Sequence, residues 1–169
     1  MIRLTNLADY GVVLMCEIAR LHQAAHQDAV SPERQDALGR VNAQGLSGAT
    51  GVPVPTVSKI LNALGRAGVL VSHRGLKGGF TLARAPEEIS IVDVIEAIDG
   101  PIALTQCVDH RSGACSLDQV CCMKPHWQTI NQAVRSALEG ITLSRLAASG
   151  PAAPFKAFDA VPAESAQRA

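Results

Sequence analysis

Three cysteines, Cys107, Cys115 and Cys121, fall within 15 residues among Gly, Ser and Asp, and Cys122 stands beside the last of them. Structural thiols sit singly in apolar runs, whereas these lie in a polar loop that cannot bury them. Several thiolates gathered on one loop point to a metal or an iron–sulfur cluster. Zinc is the second reading. Three cysteines and a histidine resemble a zinc inventory, but there is no C-x-x-C pair, and intervals of seven and five residues are wide for a zinc knuckle. A nucleophilic Cys121 or Cys122 with His126 as base is the third. No α/β pattern or oxyanion loop accompanies it, so the chain is read as a non-enzyme without a small-molecule substrate. Cys16 lies near the apolar stripe of a first helix and reads as a small buried hydrophobe.

The elements that position this loop begin with a helix from about Asn6 to His22. Asn6 can cap it, and Leu7, Tyr10, Leu14, Ile18 and Leu21 recur at helical spacing. Residues 24–43 lack periodicity and read as a loop insertion. A short helix follows from about Gln44 to Thr50 and closes at Gly51. Val52-Pro53-Val54-Pro55 forces an extended entry, and Pro55 suits the first turn of the next helix. There Val57, Ile60, Leu61 and Leu64 form one buried stripe, leaving Thr56, Ser58, Lys59, Asn62 and Arg66 on the open face. A short helix, a tight turn and a helix with a polar, basic open face make a helix-turn-helix. Gly68 ends it. Val69-Leu70-Val71 and Phe80-Thr81-Leu82 read as paired strands around the Gly-rich loop His73 to Gly79, which carries Arg74 and Lys77. This is a wing beside a recognition helix. Thr56, Ser58 and Asn62 are the expected base readers, and Lys59, Arg74 and Lys77 the phosphate contacts.

Charge supports this reading although the net charge is zero. Between Ala37 and Pro86 there is no Asp or Glu, while Arg40, Lys59, Arg66, Arg74, Lys77 and Arg84 all fall inside. A domain-sized basic segment is the footprint that phosphate binding needs. Ser90, with Asp93 three residues on, marks the next helix start, and Gly100-Pro101 stops it. After the cysteines a longer helix, about Pro125 to Glu139, carries Trp127, Ile130, Val134 and Leu138 at spacing that suits a partner helix. Helix-turn-helix proteins commonly read palindromes as dimers, so the expected partners are double-stranded DNA and a second copy.

The fold class is therefore mainly α with a small β-wing, a winged helix-turn-helix with a long C-terminal dimerisation helix. Its expected divisions are a DNA-binding domain at 1–100, a cysteine loop at 101–123, a dimerisation helix at 124–148 and a disordered tail at 149–169. No apolar run approaches the roughly 18 residues of a membrane span. Asp9 and Glu17 interrupt any signal-peptide pattern, and five cysteines, an odd count, argue against a disulfide framework. A cytoplasmic protein is expected.

These residues resemble the IscR/NsrR-type winged-helix regulators. The likeness rests on Arg3-Leu4-Thr5 through Asp9-Tyr10-Gly11, on Pro55-Thr56-Val57-Ser58-Lys59-Ile60-Leu61 and on Gly75-Leu76-Lys77-Gly78-Gly79-Phe80. Gly100-Pro101-Ile102 and Trp127-Gln128-Thr129-Ile130-Asn131 extend it, so that it covers about residues 1–148, interrupted at 24–43. The branch that regulates SUF-type iron–sulfur assembly genes looks closest. The resemblance implies a homodimeric repressor holding a [2Fe-2S] or [4Fe-4S] cluster through Cys107, Cys115 and Cys121, with cluster status controlling promoter binding. For the fourth ligand, one branch uses a histidine three residues after the third cysteine, where this chain has Lys124, a cation unsuited to ligation. Another uses an N-terminal aspartate from across the dimer, and Asp9 stands at that place. His126 and Cys122 are the other candidates, and an acid at Asp9 would also stabilise a helix start. A zinc-bound or thiol-redox switch in the same loop is the alternative.

Overall fold

The structure, a computed structural model, describes residues 4–28, 39–75, 78–108 and 121–149. Among these, the chain runs α1 (Asn6–Asp28), α2 (Ala43–Thr50), α3 (Val54–Arg66), β1 (Leu70–His73), β2 (Gly79–Leu82), α4 (Ile91–Ile98), α5 (Lys124–Glu139) and α6 (Leu143–Ser149). It is mainly α with a two-stranded antiparallel wing.

Helix α1 is the spine. Leu14, Met15, Ile18 and Ala19 on it are buried, and it packs against α4 and α6. The expected cap is corrected by one residue: Thr5 Oγ1 accepts the Ala8 N–H at 3.1 Å, so Thr5 rather than Asn6 closes the helix start. Thr5 is fixed in turn by Asp99 just after α4, its N–H and hydroxyl donating to that carboxylate at 3.2 and 2.7 Å. Leu21, expected on the stripe, is exposed, and the buried line continues through Ala25 instead. The loop expected at 24–43 is corrected at both ends. The helix continues to Asp28, and Val41 exchanges backbone hydrogen bonds with Phe80 at 2.9 and 2.8 Å, adding a third edge to the wing. Residues 29–38 lie outside the described residues.

The expected stripe of α3 is buried in full: Val57, Ile60, Leu61 and Leu64 are each fully enclosed. The capping box at α4 is also present, with Ser90 and Asp93 bonded reciprocally. Burial alone would raise the Asp93 pKa, but hydrogen bonds from the Ser90 backbone and hydroxyl, with the Arg84 charge, outweigh it and hold the carboxyl below its ordinary value.

Helix α5 matches the helix expected from about Pro125 to Glu139, but the dimerisation segment expected at 124–148 is not one helix. It breaks after α5 at Gly140, where Ser90 and Thr142 form a β-bridge flanked by Ile91 N–H to Ile141 O and Leu143 N–H to Ile89 O, each 2.9 Å. The bridge turns the chain back, and α6 puts Leu143 and Ala147 into the core against α1. Helix α6 therefore belongs to the core, and the part of the segment expected to dimerise that stands apart from it is α5. The tail expected from residue 149 begins inside α6, and residues 150–169 lie outside the described residues.

Candidate nucleic-acid interface and cysteine loop

Asn42 starts the helix-turn-helix by accepting the Gly45 N–H at 2.8 Å. Gly51 ends α2 in the left-handed region, φ 76°, which only glycine adopts without strain, and its N–H closes on Ser47 O at 2.8 Å. Thr50 is buried, its hydroxyl donating to Leu46 O at 2.7 Å, so the turn is satisfied internally. Pro53 takes the extended conformation before α3, and Pro55 lies in the first turn of that helix, where its missing N–H costs nothing. With one face of α3 held in the core, Lys59, Asn62 and Arg66 are exposed on the opposite face. Thr56 and Ser58, expected beside them, are half-buried at the margins of that face.

The wing stands beside α3 in the register Leu70–Leu82, Val71–Thr81, Ser72–Phe80 and His73–Gly79. His73 Nε2 lies 2.9 Å from Thr81 Oγ1, bracing the strand ends. Gly78 N–H closes a turn on Gly75 O at 2.8 Å, and an added Cβ on Gly78 would stand 2.7 Å from His73 O. On Gly79 it would overlap the carbonyl oxygen of Val41. Gly78 and Gly79 are thus required by backbone packing at the base of the wing. Arg74 is exposed near the tip, while Lys77 lies outside the described residues.

Of the six bases in the acid-free segment, Arg84 faces elsewhere. It donates to Glu88 O at 3.2 Å and pairs with Asp93 at 3.5 Å, serving the start of α4. Among the described residues, the exposed cations that remain on α3 and the wing are Lys59, Arg66 and Arg74. Their combination with Asn62 fits a duplex, cations to phosphates and an amide to a base edge.

The cysteine loop is tied down by a residue whose role had no signature in the sequence. Asn131 of α5 is buried, its Oδ1 accepting Leu104 N–H at 3.0 Å and its Nδ2 donating to Ile102 O at 2.9 Å. The amide thus binds the loop backbone as a neighbouring strand would. Beside it Arg135 forms two bonds to Glu96, at 3.1 and 3.3 Å, joining α5 to α4, and it also pairs with Glu139. Glu96 Oε1 further accepts Ile102 N–H at 3.4 Å. Loop residues just upstream of Cys107 are therefore held on α5.

Cys107 and Cys121 are half-buried free thiols, and Cys122 is exposed. Thr105 Oγ1 lies 3.1 Å from the Cys107 sulfur. Cys115 lies outside the described residues, and among those described no three candidate ligand side chains meet at one point. Free thiols are the donors that a soft metal centre takes as thiolates, and the described backbone just before Cys107 is held by Asn131. Asp9 is exposed in the first turn of α1, next to the Thr5–Asp99 contact. His126 is exposed in the first turn of α5. Cys16 is half-buried in α1 rather than enclosed, and burial pushes its thiol up, with Arg20 partly offsetting and Glu17 adding to the rise, which favours the protonated form.

Among known proteins, the Rrf2 family profile, described as an iron-dependent transcriptional regulator, matches residues 4–149. The HTH-type transcriptional regulator IscR of Aliivibrio salmonicida is 28% identical over 144 residues, 85% of this chain and 76% of that protein. The HTH-type transcriptional regulator NsrR of Halalkalibacterium halodurans is 33% identical over 90 residues, 53% of this chain and 62% of that protein. Among solved structures, CymR, the global cysteine regulator of B. subtilis, shares the fold with a TM-score of 0.63 at 22% identity, over 89% of this chain and all of that one.

Proposed function

Because the chain belongs to the Rrf2 family and is a DNA-binding transcriptional regulator of the IscR/NsrR type, not an enzyme, we propose that it represses SUF-type iron–sulfur assembly genes in the cytoplasm as a homodimer on a palindromic operator. In this reading Cys107, Cys115 and Cys121 hold a [2Fe-2S] or [4Fe-4S] cluster, with Asp9 the fourth ligand from across the dimer. The observation that carries it is the tie made by Asn131 between the loop upstream of Cys107 and α5. A bound cluster supplies a redox- and iron-sensitive link between the ends of that loop.

The chain's own residues then do the work. Arg135 and Glu96 pass the position of α5 to α4, and Asp99 passes it to the start of α1. These contacts set how two copies, meeting along α5, space their α3 helices on half-sites about 34 Å apart. Lys59, Arg66, Arg74 and Lys77 meet phosphates, and Asn62, with Thr56 and Ser58 at the margins, reads base edges. Ligation changes DNA affinity only by its differential effect on the two arrangements.

The test is operator binding by anaerobically reconstituted and cluster-stripped protein, followed by fluorescence anisotropy at fixed salt. The two forms should differ by at least about tenfold, equivalent to roughly 1.4 kcal/mol. Equal affinities would contradict cluster sensing.

A further inference from the structure

Away from the cysteine loop, His22 and His26 lie one turn apart near the C-terminal end of α1, with ring centroids 4.2 Å apart and the rings tilted by 46°. Their Nε2 atoms approach to 3.1 Å. They line a cleft of about 410 Å³ with Gln23 and Gln27 on the helix side and Pro86 and Glu87 opposite. The opposite wall is firm: Glu88 N–H closes a turn on Ala85 O at 2.9 Å, and Pro86 is buried with its carbonyl accepting Ser144 N–H at 3.2 Å.

Two facing imidazole nitrogens this close share a single proton or share a cation, since two protonated rings would repel. Two tetrahedral zinc ligands with Zn–N bonds of about 2.0–2.1 Å have their nitrogens roughly 3.3 Å apart, close to the spacing here. Imidazoles four residues apart on one helix face chelate late first-row divalent ions well. Burial, then the neighbouring His26, holds His22 below its ordinary pKa, while Glu87 partly opposes them, so the neutral form needed for ligation is favoured.

We propose that His22 and His26 form a second metal site, for a divalent ion of the Zn2+ class, with Glu87 as carboxylate ligand and water completing the shell. Among the described residues no three ligand side chains already meet at one point; Glu87 lines the same cleft as the two histidines and would close on the ion from there. A bound ion ties the end of α1 to the turn leading out of the wing, giving the DNA-binding unit a metal input independent of the cysteines.

The test is calorimetric titration of Zn2+ into the full chain carrying Cys107→Ser, Cys115→Ser and Cys121→Ser, with histidine-ring NMR as second readout. One equivalent should bind and shift both His22 and His26 ring nitrogens. His22→Gln and His26→Gln should each weaken binding by tenfold or more while circular dichroism stays unchanged, and Glu87→Gln by about tenfold. Stoichiometry and affinity that survive both histidine substitutions, or ring signals that move with pH but not with Zn2+, would overturn the site. Unchanged affinity in Glu87→Gln would overturn the third ligand.

Discussion

Lys59 and Asn62 share the exposed face of α3 but should fail in different ways when removed. Lys59→Ala should weaken binding to every duplex alike and reduce the slope of log K against log salt by about 0.9, because one phosphate contact releases one counterion's worth of charge. Asn62→Ala should instead lose roughly 1–3 kcal/mol of discrimination at one base pair. Salt titrations on operator and scrambled duplexes separate the two, and selective loss in Lys59→Ala would contradict its role. Asn131→Ala would strand Leu104 N–H and Ile102 O, costing about 1–3 kcal/mol in urea unfolding. An unchanged midpoint would mean that the amide does not hold the loop. The α3 face was legible in the sequence because four apolar residues repeat at 3, 4 and 7. Asn131 was not, since a polar residue whose partners lie 27 and 29 positions away leaves no periodic trace.

The start signal of α4 was legible in the sequence, the cap of α1 was off by one residue, and contacts between distant segments left less trace. The Ser90–Asp93 box is a local pattern, and the structure contains it. Asp93→Ala should cost about 1 kcal/mol. The sign of its pH dependence follows from the depressed pKa: the stabilisation is full above the unfolded carboxylate value and is lost as pH falls through the folded one. Urea midpoints of wild type and Asp93→Ala should therefore converge at acid pH, and a constant gap would contradict the capping role. By contrast, the end of the helix expected at about Pro125 to Glu139 was legible, but the return of the chain after it was not, and 124–148 was expected to act as one dimerisation segment. The β-bridge of Thr142 with Ser90, 52 residues earlier, turns the chain. Extension of α1 to Asp28 was equally silent, because its inward residue there is Ala25, too small to mark a stripe.

At the scale of the whole molecule, the described chain fills its core with α1, α3, α4 and α6 but leaves α5 thinly covered. Ile130 and Met123 are exposed, and Trp127, Val134 and Leu138 are only half-buried. If α5 is the dimer helix, Ile130→Glu should leave the fold intact and shift the protein to monomer in sedimentation, because a charge cannot be buried there without a partner. A stable dimer in that variant would place the interface elsewhere. In the proposed function, dimer, loop and DNA face form one device: what the thiolates hold would set α5, and α5 would set the spacing of the two α3 helices.

That account stands or falls on what the sulfurs bind. Native mass spectrometry of anaerobically reconstituted wild type and Cys107→Ala tests it most directly. The account predicts a wild-type dimer carrying iron and inorganic sulfide, lost in Cys107→Ala while the dimer persists. A dimer carrying only zinc, or no metal after reconstitution, would contradict it.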